Sequence, residues 1–488
     1  MKTSLIGVGN GVVDAPFSST SFYLDSDYDW MKLSVSFTKK GWYSLFIWDP
    51  GKQLRVQSLY INEPKEILIS SNPMETSFSS VPGRILEGEW KLEILAATYK
   101  AAPAYNFSFE CGQSNAISIL DEYEAWTDGS DGSGTFLNLY DRSKVLKTEQ
   151  RWYKGDFHTH TTESDGKMKP AEGMDQAKKM GLDYFAATDH NILPTKWLKD
   201  DMLTIPGVEI TSSKGHFNAL GLTKWIDWRP TCEDGGMETE AGMNRILAET
   251  KEAGAIVSIN HPMLKPWEWQ FKETLLSAVD VIEIWNDPTY KDNPKATEKA
   301  LTLWDTLWND GHRIYGIGGS DSHLRPDESY EKQGPPSVIG DPATYVFADG
   351  LSADSILSGV RKGSVYVSRG LVLECHVKVD SLTALPGSDL SDYGTQDTID
   401  FTYEITGSGI PEGAYIRWIL NGTEKKVAAG GKISEAFSWS KDEWNWLRFE
   451  IRDQDGKLLA FANPVYSGEK NPSIATWGEL MTASRFNV

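Results

Sequence analysis

Between Arg151 and His323, one short apolar run after another leads into residues that can bind a metal. WYKGDF runs into His158, Thr159 and His160, with Asp165 close behind. YFAAT leads into Asp189, His190 and Asn191, and LTIPGVEI carries Glu209 near its end. AIVSIN ends at His261, and IYGIGG leads into Asp321 and His323. Amphipathic stretches separate many of these runs. PAEGMDQAKKMG opens on Pro170 and closes on Gly181, as a capped helix does; GMNRILAETKEAG, TEKALTLWDTLWNDG and SADSILSGVRKG read as further helices. Alternating strand and helix signals predict a barrel or a doubly wound sheet. Ligand-type residues at the C-terminal ends of successive strands would then gather on the face where barrel loops converge.

His216 opens the run HFNALGL, only a few residues after Glu209. So short a connection cannot hold a crossover helix, so the two strands are expected to be antiparallel neighbours. His216, at the start of its strand, then lies at the same face as Glu209. Imidazole and carboxylate donors without nearby thiolates suit Zn, Mn or Fe(II). Strand alternation points His158 and His160 to one side, where one ion can take both. A carboxylate such as Glu209 can bridge two ions, and water held between ions becomes a hydroxide nucleophile at neutral pH. Asp156 and Asp189 read either as partners that hold a ligand imidazole or as strand terminators. His312 and His376 fall outside the pattern and read as structural.

The flanks differ in character. Before about Gln150, segments such as Trp30 to Thr38, Trp42 to Asp49, Arg55 to Ile61 and Trp90 to Tyr99 are short, aromatic and separated by turn clusters. They predict a β-sandwich, with Asp128 to Thr135 as a linker or exposed loop. Beyond about Leu371 short alternating strands return, and the tail from Asn471 is expected to pack back on another domain. A chain of 488 residues accommodates about three domains. Its net charge of −21 argues against long nucleic acids and anionic membranes, though not against a small anionic substrate beside bound cations. Cys111, Cys232 and Cys375 are too far apart to read as a disulfide framework and are expected to be inert thiols. MKTSLIGVGNG lacks an apolar core of signal-peptide length, so a cytoplasmic location is the expectation.

GDFHTHTTESDG, ATDHN, PGVEITSSKGHFNALG, INHP and GGSDSH, in this order, resemble the successive motifs of the PHP (polymerase and histidinol phosphatase) metallohydrolase superfamily. The resemblance spans about Arg151 to Gly370. LFIWDPGKQLR, EGEWKLEILAATY and ANPVY resemble the flanks of its CehA/McbA-like branch. The resemblance implies a multidomain α/β plus β chain. A central distorted (β/α)7 TIM-like barrel (149–370) would stand between an N-terminal β-sandwich (1–148) and a C-terminal β-sandwich with a tail (371–488). It also implies two to three divalent metal ions, Zn, Mn or Fe. The first would take His158, His160, Glu209 and Asp321. The second would share Glu209 and take His216 and His261. The third would take Asp165, His190 and His323. Asp165 stands where some relatives have His, which shifts the third site toward Mn, Fe or Mg.

The leading expectation is a phosphoesterase acting on a small phosphate ester through a metal-bridged hydroxide. Glu209 and Asp321 are the catalytic candidates, metal ligands first, with Asp321 also able to relay a proton. Lys214, Arg325 and Arg369 lie near strand ends and are candidates to bind substrate anions, or else solvated surface charges. A carbamate or carboxylic ester hydrolase is the alternative, favoured by an apolar pocket with Trp225, Trp228, Trp267, Trp269 or Trp285 in its wall; all five read equally as core. A non-catalytic binding protein is the third reading, and a nuclease on short oligonucleotides a variant of the first.

Overall fold

Sheet dominates this multidomain chain, with 42% strand against 14% helix. The computed structural model describes residues 4–13, 17–61, 65–96, 103–113, 122–130, 135–393 and 397–486. Part of the expected strand ending at Tyr99, and residues 131–134 of the expected linker, lie outside the described residues.

The first unit is two four-stranded antiparallel sheets. In the strand Trp30–Phe37, Met31, Leu33 and Val35 alternate inward. They meet Trp90, Leu92 and Ile94 of the strand Gly88–Ala96, from the other sheet, in one buried cluster. The alternation is what a strand with one wet face produces.

In the central segment the strand Arg151–Asp156 is parallel to Tyr184–Ala187 and antiparallel to Ala343–Ala348. The sheet continues from Tyr184–Ala187 through Leu203–Ser212, Gly215–Leu220, Ile256–Ile259 and Val281–Asn286 to Tyr315–Gly319. Gly215–Leu220 is antiparallel to both its neighbours, with Thr211 opposite His216, because only Ser213 and Lys214 join it to the strand before. The other pairings of this run are parallel. Helices Pro170–Lys179, Glu240–Glu252, Asn293–Asp310 and Ala353–Arg361 accompany the sheet. Strand–helix alternation holds only in part: helices do not follow every strand, and the sheet is mixed. It curls until one edge meets its middle. Thr159 and Ser322 form a parallel bridge, and the Asp321 N–H donates to the His158 carbonyl at 2.9 Å.

On the other side the same sheet runs from Ala343–Ala348 through Val365–Ser368 into Leu458–Ala462, Asn445–Arg452, Tyr415–Leu420 and Thr423–Ala428. A second antiparallel sheet, with Val372–Val379 and Thr398–Ser408 at its centre, packs against this extension. The tail helix Trp477–Ala483 returns to the central segment, where the fully buried Trp477 meets Trp269. Among the described residues no helix is long and apolar enough to cross a membrane. Cys111 and Cys375 are buried, Cys232 is half-buried, and none is paired. Burial pushes the Cys111 thiol up to about 12, as suits an inert thiol.

Candidate metal centre

Each strand end contributes its donors by a local device. The Asp156 carboxylate, fully buried, accepts the N–H groups of His158 (3.0 Å), Ser320 (3.1 Å) and Gly340 (2.7 Å). It thereby ties the first strand end to the segment that carries Asp321. Asp189 does the same for the loop after His160, accepting from Thr161 N (2.8 Å), Thr161 Oγ1 (2.8 Å) and Ser164 N (3.2 Å). Both carboxylates thus organise backbone, an outcome outside the two roles read from the sequence. His190 bridges Glu209 in parallel register, and Asn191 locks that pairing through Thr211, accepting its N–H at 2.9 Å and donating to its carbonyl at 3.0 Å. His261 and Asp321 take positive φ angles of 28° and 47°, which side chains other than glycine rarely adopt. Strain of this kind gathers at functional sites.

Glu209 lies at the centre and is fully buried. Its carboxylate oxygens lie 3.3 Å from His158 Nε2, 3.4 Å from His160 Nε2, 2.8 Å from His190 Nδ1, 3.1 Å from His216 Nδ1 and 3.5 Å from His261 Nε2. Asp321 Oδ1 lies 3.2 Å from His158 Nε2 and 3.0 Å from His160 Nε2. Asp165 Oδ1 faces His190 Nε2 at 3.4 Å and His323 Nε2 at 3.2 Å. All nine residues singled out as metal ligands therefore meet in one cluster. Donor atoms of eight of them fall into three overlapping groups, each within 4.8 Å: His160, Asp165, His190 and His323; His158, His160 and Asp321; His158, Glu209 and His261; His216 joins through Glu209.

Glu283 and Asn286 escaped the sequence reading. Glu283 Oε1 holds His158 Nδ1 at 2.9 Å, while Oε2 accepts the His261 N–H at 2.8 Å and the Asn286 amide at 3.0 Å. Asn286 Nδ2 also reaches Asp321 Oδ2 at 3.2 Å, and Asn260 Nδ2 donates to Glu209 Oε1 at 2.9 Å. The signal was available in VIEIW, where a lone carboxylate sits in an otherwise apolar strand. Gly319 makes room for this pair: a Cβ there would come within 2.4 Å of His158 Cβ and 2.7 Å of Glu283 Oε1.

The donor set fits divalent cations. His158 Nε2, both ring nitrogens of His160, Glu209 Oε2 and His261 Nδ1 are buried without a hydrogen-bond partner. Unpaired buried polar atoms are costly, and an ion coordinated by them removes the cost. Burial, then the neighbouring His323 and His190, push His160 down to about 4, leaving it the neutral imidazole that coordination needs. Burial opposes ionisation of Glu209 and Asp321, yet the surrounding imidazoles outweigh it and hold both well below the usual carboxylate range.

The other candidates lie elsewhere. Lys214 stands in the turn before His216 with its ammonium over Phe271, 5.7 Å from the ring centroid. Arg325 is exposed, and Arg369 pairs with Asp341 at 3.0 Å. His312 bonds the Ile474 carbonyl and His376 bonds Glu404, as structural residues do. Trp228, Trp269 and Trp285 are core, Trp225 is half-buried, and Trp267 is 40% exposed.

Fold and site together define a sheet-rich multidomain chain with a buried cluster of imidazole and carboxylate donors. No family model and no curated protein matches the chain. Among solved structures it is similar to a two-domain protein from Bacteroides vulgatus ATCC 8482 containing a predicted PHP-like metal-dependent phosphoesterase (18% identity, 67% of this chain, 99% of that one, TM-score 0.34). It is also similar to a candidate metal-dependent phosphoesterase from Bifidobacterium adolescentis ATCC 15703 (17% identity, 37% and 92% covered, TM-score 0.25). An amidohydrolase from Chromobacterium violaceum with bound sulfate is a third (16% identity, 38% and 92% covered, TM-score 0.22).

Proposed function

We propose that the chain is a metal-dependent hydrolase of the PHP superfamily that cleaves a small phosphate ester. The observation that carries this reading is the buried convergence of imidazole and carboxylate donors around Glu209 and Asp321. In the same reading the central segment is a distorted barrel (149–370) between sandwiches (1–148 and 371–488). Two or three divalent ions held by His158, His160, Asp165, His190, Glu209, His216, His261, Asp321 and His323 would supply Lewis-acid charge and lower the pKa of water.

The residues themselves prepare that chemistry. Glu283 accepts a hydrogen bond at His158 Nδ1, favouring the tautomer whose Nε2 faces Glu209 and Asp321. The Asp321 carbonyl, 2.7 Å from His323 Nδ1, fixes that ring the same way, so Nε2 faces Asp165. Asn260 and Asn286 orient Glu209 and Asp321. Asp321 is the more exposed of the two, 17% against 0%, and is the carboxylate able to exchange a proton with a reacting group.

Turnover of phosphomonoesters and phosphodiesters with added Mn or Zn tests the reading. Activity absent from His158→Ala supports it; no activity above that variant for any phosphate ester counts against it. One observation favours a carbamate or carboxylic ester instead: Arg369 is already paired with Asp341 and Lys214 lies over Phe271. Carbamates and carboxylic esters assayed beside the phosphate esters, with turnover confined to the former, would select that alternative.

A further inference from the structure

Three aromatic rings stand on the loops that leave three neighbouring donor-bearing strand ends. Trp267 follows His261, Tyr290 follows Asn286, and Tyr330 follows His323. The first loop is closed by the Trp269 N–H on the Pro262 carbonyl at 3.1 Å, which leaves Trp267 within the closed turn that follows His261. In the second, the Tyr290 N–H donates to the Asp287 carbonyl at 3.2 Å, directly beyond the Asn286 amide that reaches Asp321. The third folds back through Ser337 Oγ, which donates to Asp287 Oδ2 at 2.8 Å.

The rings meet in a chain. Trp267 and Tyr290 are 6.0 Å apart at 67°, and Tyr290 and Tyr330 are 5.4 Å apart at 84°. These are edge-to-face contacts, and they leave ring surface open. Trp267 is 40% and Tyr330 39% exposed; the other exposed large aromatic ring among the described residues is Tyr23, in the N-terminal unit. Two of three such rings thus share one patch at the donor end of the sheet. The patch is small. A ring covers about 150–250 Å², and with Trp267 40% and Tyr330 39% exposed the patch offers far less than the roughly 800 Å² per partner of a standard protein interface. Its occupant is a small molecule, and beside a hydrolytic centre the small molecule to expect is the substrate.

We propose that Trp267, Tyr290 and Tyr330 form a shelf at the mouth of the donor cluster that binds an aromatic group carried by the ester substrate. This rests on the hydrolase reading above and specifies its substrate class. The test is calorimetric binding of phenylphosphonate and methylphosphonate, neither of which can be hydrolysed at the P–C bond, to the Mn-loaded full chain. Phenylphosphonate is expected to bind about tenfold more tightly. Trp267→Ala and Tyr330→Ala are each expected to shrink that difference while leaving methylphosphonate affinity unchanged. Equal affinities in the unaltered protein, or a preference untouched by both substitutions, overturn the shelf. A neutral pair, benzamide against acetamide, separates the two claims by saturation-transfer NMR. Benzamide binding lost in Trp267→Ala, with neither phosphonate bound, upholds the shelf and sinks the phosphoester reading. Failure of benzamide and phenylphosphonate alike sinks the shelf.

Discussion

Glu283 grips His158 by the nitrogen that faces away from Glu209 and Asp321. A carboxylate in that position fixes the tautomer, aims the ring and raises its basicity as a ligand. Gln in its place keeps the size but offers one oxygen where the carboxylate presents two, and here both oxygens are used. Glu283→Gln is therefore expected to weaken Mn or Zn binding about 10–100-fold while the protein stays folded. Metal titration against a competing chelator, with circular dichroism as the control, reads this; unchanged affinity would show that Glu283 merely fills space. Most of the donors were legible in the sequence because they follow the end of an apolar run; Asp165, nine residues beyond its strand, and the grouping of all nine came from the motif resemblance. Glu283 was less legible because no motif flanks it, and only the three-dimensional meeting of the Val281–Asn286 strand with His158 gives it a task. Lys214, Arg325 and Arg369 show the converse limit. Proximity to a strand end does not reveal whether a long cationic side chain points at the site or has found another partner, as Arg369 has in Asp341.

At the level of elements, the loop that follows His190 is held by the N-terminal unit. Gln57 donates to the Leu193 carbonyl at 2.8 Å and accepts the Leu193 N–H at 3.0 Å, all in buried surroundings. Thr195 Oγ1 donates to the Ser80 carbonyl at 2.7 Å, and Lys196 Nζ to the Met74 carbonyl at 3.0 Å. Trp42, from the same unit, lies edge-on to the His190 ring at 5.1 Å. The N-terminal sheets thus buttress the strand end that brings His190 to Glu209. Gln57→Ala would strand both Leu193 backbone groups, at a cost of about 2–4 kcal/mol. Urea unfolding measures it, and a change below about 0.5 kcal/mol would mean that water replaces the side chain and the clamp is dispensable. Such clamps were beyond the sequence. Period-2 alternation in runs such as WMKLSVSFT says which face of a strand is buried, not which strand lies beside it. For the same reason Val365–Ser368 was readable as a strand, while its pairing with Leu458–Ala462 was not. The short Glu209–His216 connection was the exception: two residues allow only an antiparallel turn, so here sequence dictated topology.

For the molecule as a whole, the donor cluster sits where the curled sheet closes on itself. His158 and His160 come from the middle of the sheet, Asp321 and His323 from its edge, and two backbone contacts link them: the Thr159–Ser322 bridge and the Asp321 N–H on the His158 carbonyl. Asp165, Glu209, Glu283 and Asp321 bring four carboxylates to this seam, within a chain of net charge −21. Like charges at close range repel strongly in a low-dielectric interior, so the seam is the part of the fold most in need of cations. Ions that bind the folded chain alone stabilise it by mass action, about 2.7 kcal/mol per site when free metal is a hundred times its dissociation constant. Exhaustive chelation is accordingly expected to lower the melting temperature, and added Mn or Zn to restore it with a logarithmic dependence on concentration. The loss should be local before it is global. In chelated protein, hydrogen exchange should quicken first in the edge strand Tyr315–Gly319 and in residues 158–160, while the two flanking units keep their protection. His158→Ala should flatten the metal response of the melting temperature. A melting temperature indifferent to chelator, or exchange that rises evenly across all units, would mean that the sheet closes without ions and that the cluster is not the seam's fastening.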